Sequence, residues 1–324
     1  MPEATIGEFK SKILEIFFDD ELSRKVASVE LALGEKPLLD DSMTLADSGI
    51  SEDVGVLAVL SKRTAECLCK EDAPFDLRDP DTLVLLNIPD GTTEIPSRAF
   101  YGCYSVAGVT IPHSVTRIDD WSFAFCESLM SLSIPDSVTK IGPRAFKGCV
   151  SLTSVTVPES VSEIEPGSFS GCSSLTSLTI PASVKMIGDS SFYGCRSLTS
   201  LTIPASVKMI GDESFYFCRS LPSLTIPESV EVIGHCAFSR CSSLTSLTIP
   251  ESVEAIGDYS FSGCSSLASL TIPESVKRIG RGAFEGCSSR VSLTIPASWL
   301  CLRLRFWWTA HSSCQLETHQ CHIA

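Results

Sequence analysis

Basic charge is what this 324-residue chain has least of: 25 Lys and Arg stand against 39 Asp and Glu, a net charge of −14. Nucleic acid and anionic membrane surfaces both want a basic patch, so neither is expected as a partner. Histidine is scarce, five in all. Ser and Thr are plentiful, but no His recurs beside them, and there is no P-loop and no GxGxxG, so no catalytic set emerges. No enzyme activity and no cofactor are expected. There is no run of ~18 apolar residues, so no membrane insertion is expected. The opening Met1 to Lys10 lacks a basic stretch leading into an apolar one, so no secretory leader is read and a cytoplasmic location is expected. What the chain does have, 44% apolar and 20% charged residues, is the composition of a folded protein.

It also has a period. Pro89, Pro112, Pro135 and their successors to Pro296 recur every 23 residues, as do Cys103 to Cys287 and Phe100 to Phe284. Ile95 opens a further series that runs to Ile279. The units 175–197 and 198–220 differ only at Ser190 versus Glu213 and at Gly194 versus Phe217. Such regularity belongs to a stack of equivalent coils.

Within one unit, Leu178 and Ile180 alternate with Ser177 and Thr179, the pattern of a short strand with one face inward. Pro181 has no N–H to donate and ends the ladder. Val184 and Ile187 are placed on the opposite wall. Gly188 permits a turn, yet Pro96, Asp119 and Glu165 occupy matching positions, so a positive φ is not obligatory there. The residue before each Phe is Ala or Ser, which points to close contact between coils. One coil alone buries too little apolar surface to offset the entropy of ordering it, so neighbours must stack.

The repeated pattern Leu-x-x-Leu-x-Ile-Pro-x-Ser-Val-x-x-Ile-Gly-x-x-Ala/Ser-Phe-x-x-Cys resembles the BspA-type leucine-rich repeat over about 83–297. The turn Asn of other leucine-rich repeats is absent, and Pro stands in that region. The resemblance implies a β-rich α/β fold, an open and gently curved solenoid with strands on its concave side. It also implies a role in binding or adhesion.

On that reading the concave face is paved with two hydroxyl ladders. Ser154, Ser177, Ser200, Ser223, Ser246 and Ser269 form one, and Thr156, Thr179, Thr202, Thr225, Thr248 and Thr271 the other. They are the candidate binding residues. Small β-formers also suit a crowded sheet without any ligand. Uniform ladders carry little information, so specificity is sought at variable positions: His113, Asp136, Glu159, Ala182, Glu228, Glu251 and Glu274 after Pro, and Arg117, Lys140, Glu163, Glu231, Glu254, Lys277 and Arg278 before Ile. The leading expectation is a protein-interaction scaffold with a protein partner. The alternative is an extracellular or cell-surface adhesin. A third is a hydroxyl surface for glycan or ice; the expected curvature argues against ice.

Nine of the 15 cysteines form one column. Rungs ~4.8 Å apart would allow bridging across coils. Nine is odd, however, and each Cys follows the core Phe by three. A buried thiol acting as a small apolar group is therefore expected, in keeping with a reducing compartment.

The ends differ from the array. Residues 1–63 are acidic and non-repetitive. Thr5-Ile-Gly-Glu8 reads as a capping box ahead of a helical face of Ile6, Phe9, Ile13 and Phe17. Val29, Leu31 and Leu33 alternate as a strand, Gly34 to Pro37 turns, and Val54 to Leu60 reads as a last strand. With Leu38-x-Asp40-Asp41-x-x-Thr44-Leu45-x-Asp47-x-Gly49-Ile50 between them, these segments resemble a partial ubiquitin-like β-grasp. It lacks the opening hairpin and a terminal Gly-Gly, so conjugation is not implied. Residues 64–82 read as linker and cap, 83–297 as the solenoid, and 298–324 as an atypical tail. The tail holds His311, Cys314, His319, Cys321 and His322, but their cramped spacing fits no zinc finger, and no metal site is expected.

Overall fold

The computed structural model describes residues 84–88 and 90–287, together with the backbone of short strands at Leu31–Leu33, Lys36–Leu38, Ala58–Val59 and Ser292–Thr294. Leu31–Leu33 and Lys36–Leu38 pair as an antiparallel hairpin. Ala58–Val59 pairs in parallel with Val84–Asn87 and so extends the sheet of the repeat array. A ubiquitin-like β-grasp is not supported: Ala58–Val59, within its expected last strand, joins the array, and the rest of the expected segments, like the Cys- and His-bearing tail, lie outside the described residues.

The array is a β-solenoid of stacked coils, each with three walls. The front wall is a parallel sheet of three-residue strands, Ser154–Thr156, Ser177–Thr179 and Ser200–Thr202 among them. Each strand pairs with its equivalent in the next coil, Ser154 with Ser177 and Ser177 with Ser200. The central Val155 and Leu178 point inward and are buried, as the alternation requires.

This front sheet is divided into a seven-stranded run ending at Ser200–Thr202 and a four-stranded run beginning at Ser223–Thr225. The division falls at one residue. Ahead of each strand, Thr176 N–H donates to the Thr153 carbonyl at 2.9 Å and Thr199 N–H to Thr176 at 3.0 Å. The next residue in that column is Pro222, which has no N–H. The ladder resumes when Thr245 N–H donates to the Pro222 carbonyl at 2.9 Å.

After the front strand and its Pro, the chain turns into a second parallel sheet of two-residue strands, such as Met186–Ile187 and Met209–Ile210. Ile187 is buried with Val184. The glycine that follows is there for space. A Cβ on Gly188 would lie 2.6 Å from the Ile164 carbonyl oxygen and 2.8 Å from the Pro166 nitrogen. Its φ is not positive, in line with the matching Asp119 and Glu165.

The third wall is built of turns. Among the described residues there is no helix, which corrects the α component of the expected fold class. A 23-residue coil is closed by two strands, and its remaining residues are held by bonds between coils rather than within one helix. Phe100 N–H donates forward to Ser122 O at 2.7 Å, Phe123 to Ala145 at 2.8 Å and Phe146 to Ser168 at 2.8 Å. Two backbone columns on this wall have left-handed φ, one including Trp121, Arg144, Ser190 and Glu213, the other Phe125, Gly148, Gly194 and Phe217.

Between the walls runs one continuous core. Successive Phe rings from Phe100 to Phe284 stack with centroids 5.0–5.6 Å apart and planes within 13° of parallel. At that separation the parallel rings are offset, an arrangement their quadrupoles favour. The small residues before each Phe are buried from Ala99 to Ala283, as close coil contact demands.

Candidate functional site

All twelve ladder residues lie on the front wall and are exposed. Ser154, Ser177 and Ser200 are direct cross-strand neighbours, with Thr156, Thr179 and Thr202 beside them. Beyond the break at Pro222, Ser223, Ser246 and Ser269 continue the first ladder and Thr225, Thr248 and Thr271 the second. Among the described residues none of these hydroxyls bonds to another protein group. Their sequence neighbours behave differently. Thr176, Thr199 and Thr245 each turn Oγ1 onto the carbonyl of the preceding coil, at 3.1, 3.1 and 2.9 Å. The front wall therefore separates hydroxyls committed to the scaffold from hydroxyls left to solvent.

The variable positions form the rims of this wall. His113, Asp136, Glu159, Glu228, Glu251 and Glu274 are exposed after Pro. Among the positions before Ile, charge is partly consumed between coils. Arg117 pairs with Glu94 of the preceding coil at 3.2 Å, as well as with Asp119 of its own at 2.8 Å, and Lys277 pairs with Glu254 of the preceding coil at 2.9 Å. Met186, Met209, Val232 and Ala255 interrupt those charges with an apolar strip, of which Met209 and Val232 are the most exposed.

The cysteine column faces inward. Eight of its members, Cys126 to Cys287, are free thiols, while Cys103 is disulfide-bonded and departs from the expectation of thiols throughout. The thiols do more than fill space. Cys126 Sγ donates to Phe100 O at 3.1 Å and Cys195 Sγ to Phe169 O at 3.4 Å, with equivalent bonds along the column. Burial pushes the Cys172 and Cys241 thiols from 9.0 up to about 12. They are structural donors and poor nucleophiles. Ser183 and Ser206, before Val, play a similar part by donating to Val161 O and Val184 O at 2.6 Å.

Sequence comparison agrees with this anatomy. The BspA type Leucine rich repeat region matches residues 93–220 and 185–305, in six copies. The chain belongs to the BspA-type leucine-rich repeat family. BspA-type and other leucine-rich repeat proteins commonly mediate protein interaction or surface recognition, and no enzymatic family is indicated. No match was found among curated proteins. Among solved structures, the BspA-type array is similar to the leucine-rich repeat protein of T. pallidum, at 36% identity over 50% of this chain and 73% of that one, TM-score 0.45. It is also similar to the pneumococcal vaccine antigen PcpA, at 18% identity over 72% of this chain and 67% of that one, TM-score 0.51. A third is a leucine rich cell surface protein of Faecalibacterium prausnitzii, at 26% identity over 72% of this chain and 63% of that one, TM-score 0.44.

Reading the repeats for their common letters misses one surface on the turn wall. Phe217 meets Tyr216 edge-on at 4.5 Å, Tyr216 stacks on Tyr193 at 5.1 Å, and Arg219 and Arg240 lie over the Phe217 ring at 4.6 and 5.1 Å. The available signal was the near-identical pair of units, since Phe217 is one of only two changes between them.

Proposed function

We propose that this protein is a non-enzymatic protein-interaction scaffold whose partner lies across the front sheet. The observation that carries the reading is the division of labour among its hydroxyls. Thr176, Thr199 and Thr245 are bonded into the scaffold, whereas the exposed Ser and Thr ladders beside them are not. In-register strands hold these groups on a rigid lattice, so a partner meets them with little ordering cost. Affinity then accumulates from many modest contacts over several coils, and the acidic rim after Pro supplies selectivity.

The test is co-purification from lysate with the full chain and with a Thr179→Arg/Thr202→Arg variant. These residues are exposed, so melting temperature should be unchanged while a specifically retained protein is lost. Retention of every partner by the variant would refute the front sheet as the contact surface. Retention of glycans in place of proteins would move the assignment to a carbohydrate surface.

A further inference from the structure

The turn wall holds two places where aromatic rings and cations gather. One is the Tyr216, Phe217, Arg219 and Arg240 cluster. In the other, Arg144 and Lys147 lie 5.2 and 5.3 Å from the Trp121 ring, which neighbours Phe125 at 6.5 Å. These four cations lie over rings and are not ion-paired among the described residues, so their charge is open to a ligand. In a chain of net charge −14, cations gathered in pairs on aromatic rings stand out.

The backbone beneath them is strained. Phe217 and Arg240 have φ of 64° and 62°, in a column where Gly171, Gly194 and Gly263 hold the same left-handed conformation. Phe125 does likewise at 62°, whereas Trp121, at 59°, sits in the other left-handed column, where Ser190, Glu213 and Tyr259 share its conformation. A side chain there is strained relative to Gly, and strain of this kind gathers where a surface is used. The chemistry is specific. A guanidinium laid on a ring is partly desolvated and held flat, with edge N–H groups open to a carboxylate. Each cluster has only two such cations within an acidic molecule, so a long polyanion would be repelled on either side of it. A short acidic segment would not, and an aromatic side chain within it would extend the Tyr193–Tyr216 stack.

We propose that this wall docks an acidic, aromatic-bearing peptide segment of a protein partner, with Phe217, Arg219 and Arg240 as its anchor. It is a different wall from the hydroxyl ladders, so the two readings stand or fall separately.

The experiment is fluorescence anisotropy of the full chain with a labelled Glu-Glu-Tyr-Glu-Glu-Tyr-Glu peptide. The comparison variant is Phe217→Gly/Arg219→Ser/Arg240→Gly, which installs residues that other coils carry in those columns, Gly194, Ser242 and Gly263. Wild type should bind, and the variant should bind at least about tenfold more weakly. Raising salt from about 0.05 to 0.5 M should weaken wild-type binding. If the triple variant does not fold, Arg219→Ser alone should weaken binding in the same direction. Equal binding by wild type and folded variant, or no binding by wild type, would overturn the proposal. So would tighter binding of a heparin fragment or of oligothymidylate than of the peptide.

Discussion

Gly194 and Phe217 occupy the same place in successive coils, and both hold a left-handed backbone, with φ of 74° and 64°. Gly188, six residues before Gly194, is constrained locally for another reason: although Asp119 and Glu165 fill the matching place in other coils, a Cβ here would lie 2.6 Å from the Ile164 carbonyl oxygen. The two glycines should therefore respond differently. Gly194→Ala should cost about 1–2 kcal/mol, the strain of the left-handed region, and Gly194→Asn less, because Asn tolerates that region. Gly188→Ala should cost more, on the order of 3 kcal/mol, because backbone must move, and Asn should bring no relief. Thermal unfolding of the four variants checks this.

The Phe spine is the main apolar element joining coil to coil. Phe192 is fully buried and stacked between Phe169 at 5.6 Å and Phe215 at 5.3 Å. Phe192→Ala should destabilise by about 3–5 kcal/mol. A double-mutant cycle with Phe215→Ala should show coupling of about 0.5–1.5 kcal/mol for the ring pair. An additive cycle would mean that the rings share a core without interacting.

The column before Phe separates what the sequence shows from what only coordinates show. That only Ala and Ser occur there signals close packing, and every one is buried. The serines nevertheless divide into two kinds. Ser122 and Ser168 donate to the carbonyls of Asp119 and Glu165, whereas the Oγ atoms of Ser191, Ser214 and Ser260 are buried without a partner. The satisfied pair follow Asp119 and Glu165, and the orphans follow Gly188, Gly211 and Gly257. Ser214→Ala should raise stability by about 1 kcal/mol by removing an unsatisfied polar group, and Ser168→Ala should lower it. Unfolding in denaturant with an unchanged m-value is the readout.

Legibility followed the period. Pro, Phe, Cys and Ile columns are visible because stacking makes one physical demand at each place, so the strands, the Phe core and the exposed ladders could be placed from letters alone. The thiol bonds to Phe carbonyls could not, because a small apolar group and a weak donor are the same letter, Cys. The Phe217 and Trp121 clusters break the period, and a search for what repeats passes over them. The α component came with the resemblance alone, since no spacing within the 23-residue unit called for a helix.

The thiols give the array a pH dependence of definite sign. Burial raises Cys172 and Cys241 from 9.0 to about 12 in the folded protein, while an unfolded thiol titrates near about 8.5. Between those values the folded state holds protons that the unfolded state releases, so stability falls as pH rises. Melting temperature should be insensitive to these groups below about pH 8.5 and should drop progressively toward pH 10. The Cys172→Ala/Cys241→Ala variant should show a shallower drop. Alkylation of the native protein should reach the partly exposed Cys236 before the buried Cys195 or Cys218.

Pro222 is where the front sheet, and with it the hydroxyl surface, is divided. The Thr199 carbonyl in the coil before it loses the donor that Thr176 and Thr153 receive from their successors. Pro222→Thr should restore that bond and join the two runs. The gain of about 0.5–1.5 kcal/mol for a hydrogen bond is offset by about 0.4–1 kcal/mol from a more flexible unfolded chain, so melting temperature should move little. Hydrogen exchange should change more, with the amides of Ser200–Thr202 and Ser223–Thr225 becoming better protected. Thr199→Pro should do the reverse, cutting a second break by removing both the Thr199 N–H bond and the Oγ1 bond to Thr176. If neither variant alters exchange at these strands, the division arises from coil geometry and not from the missing N–H.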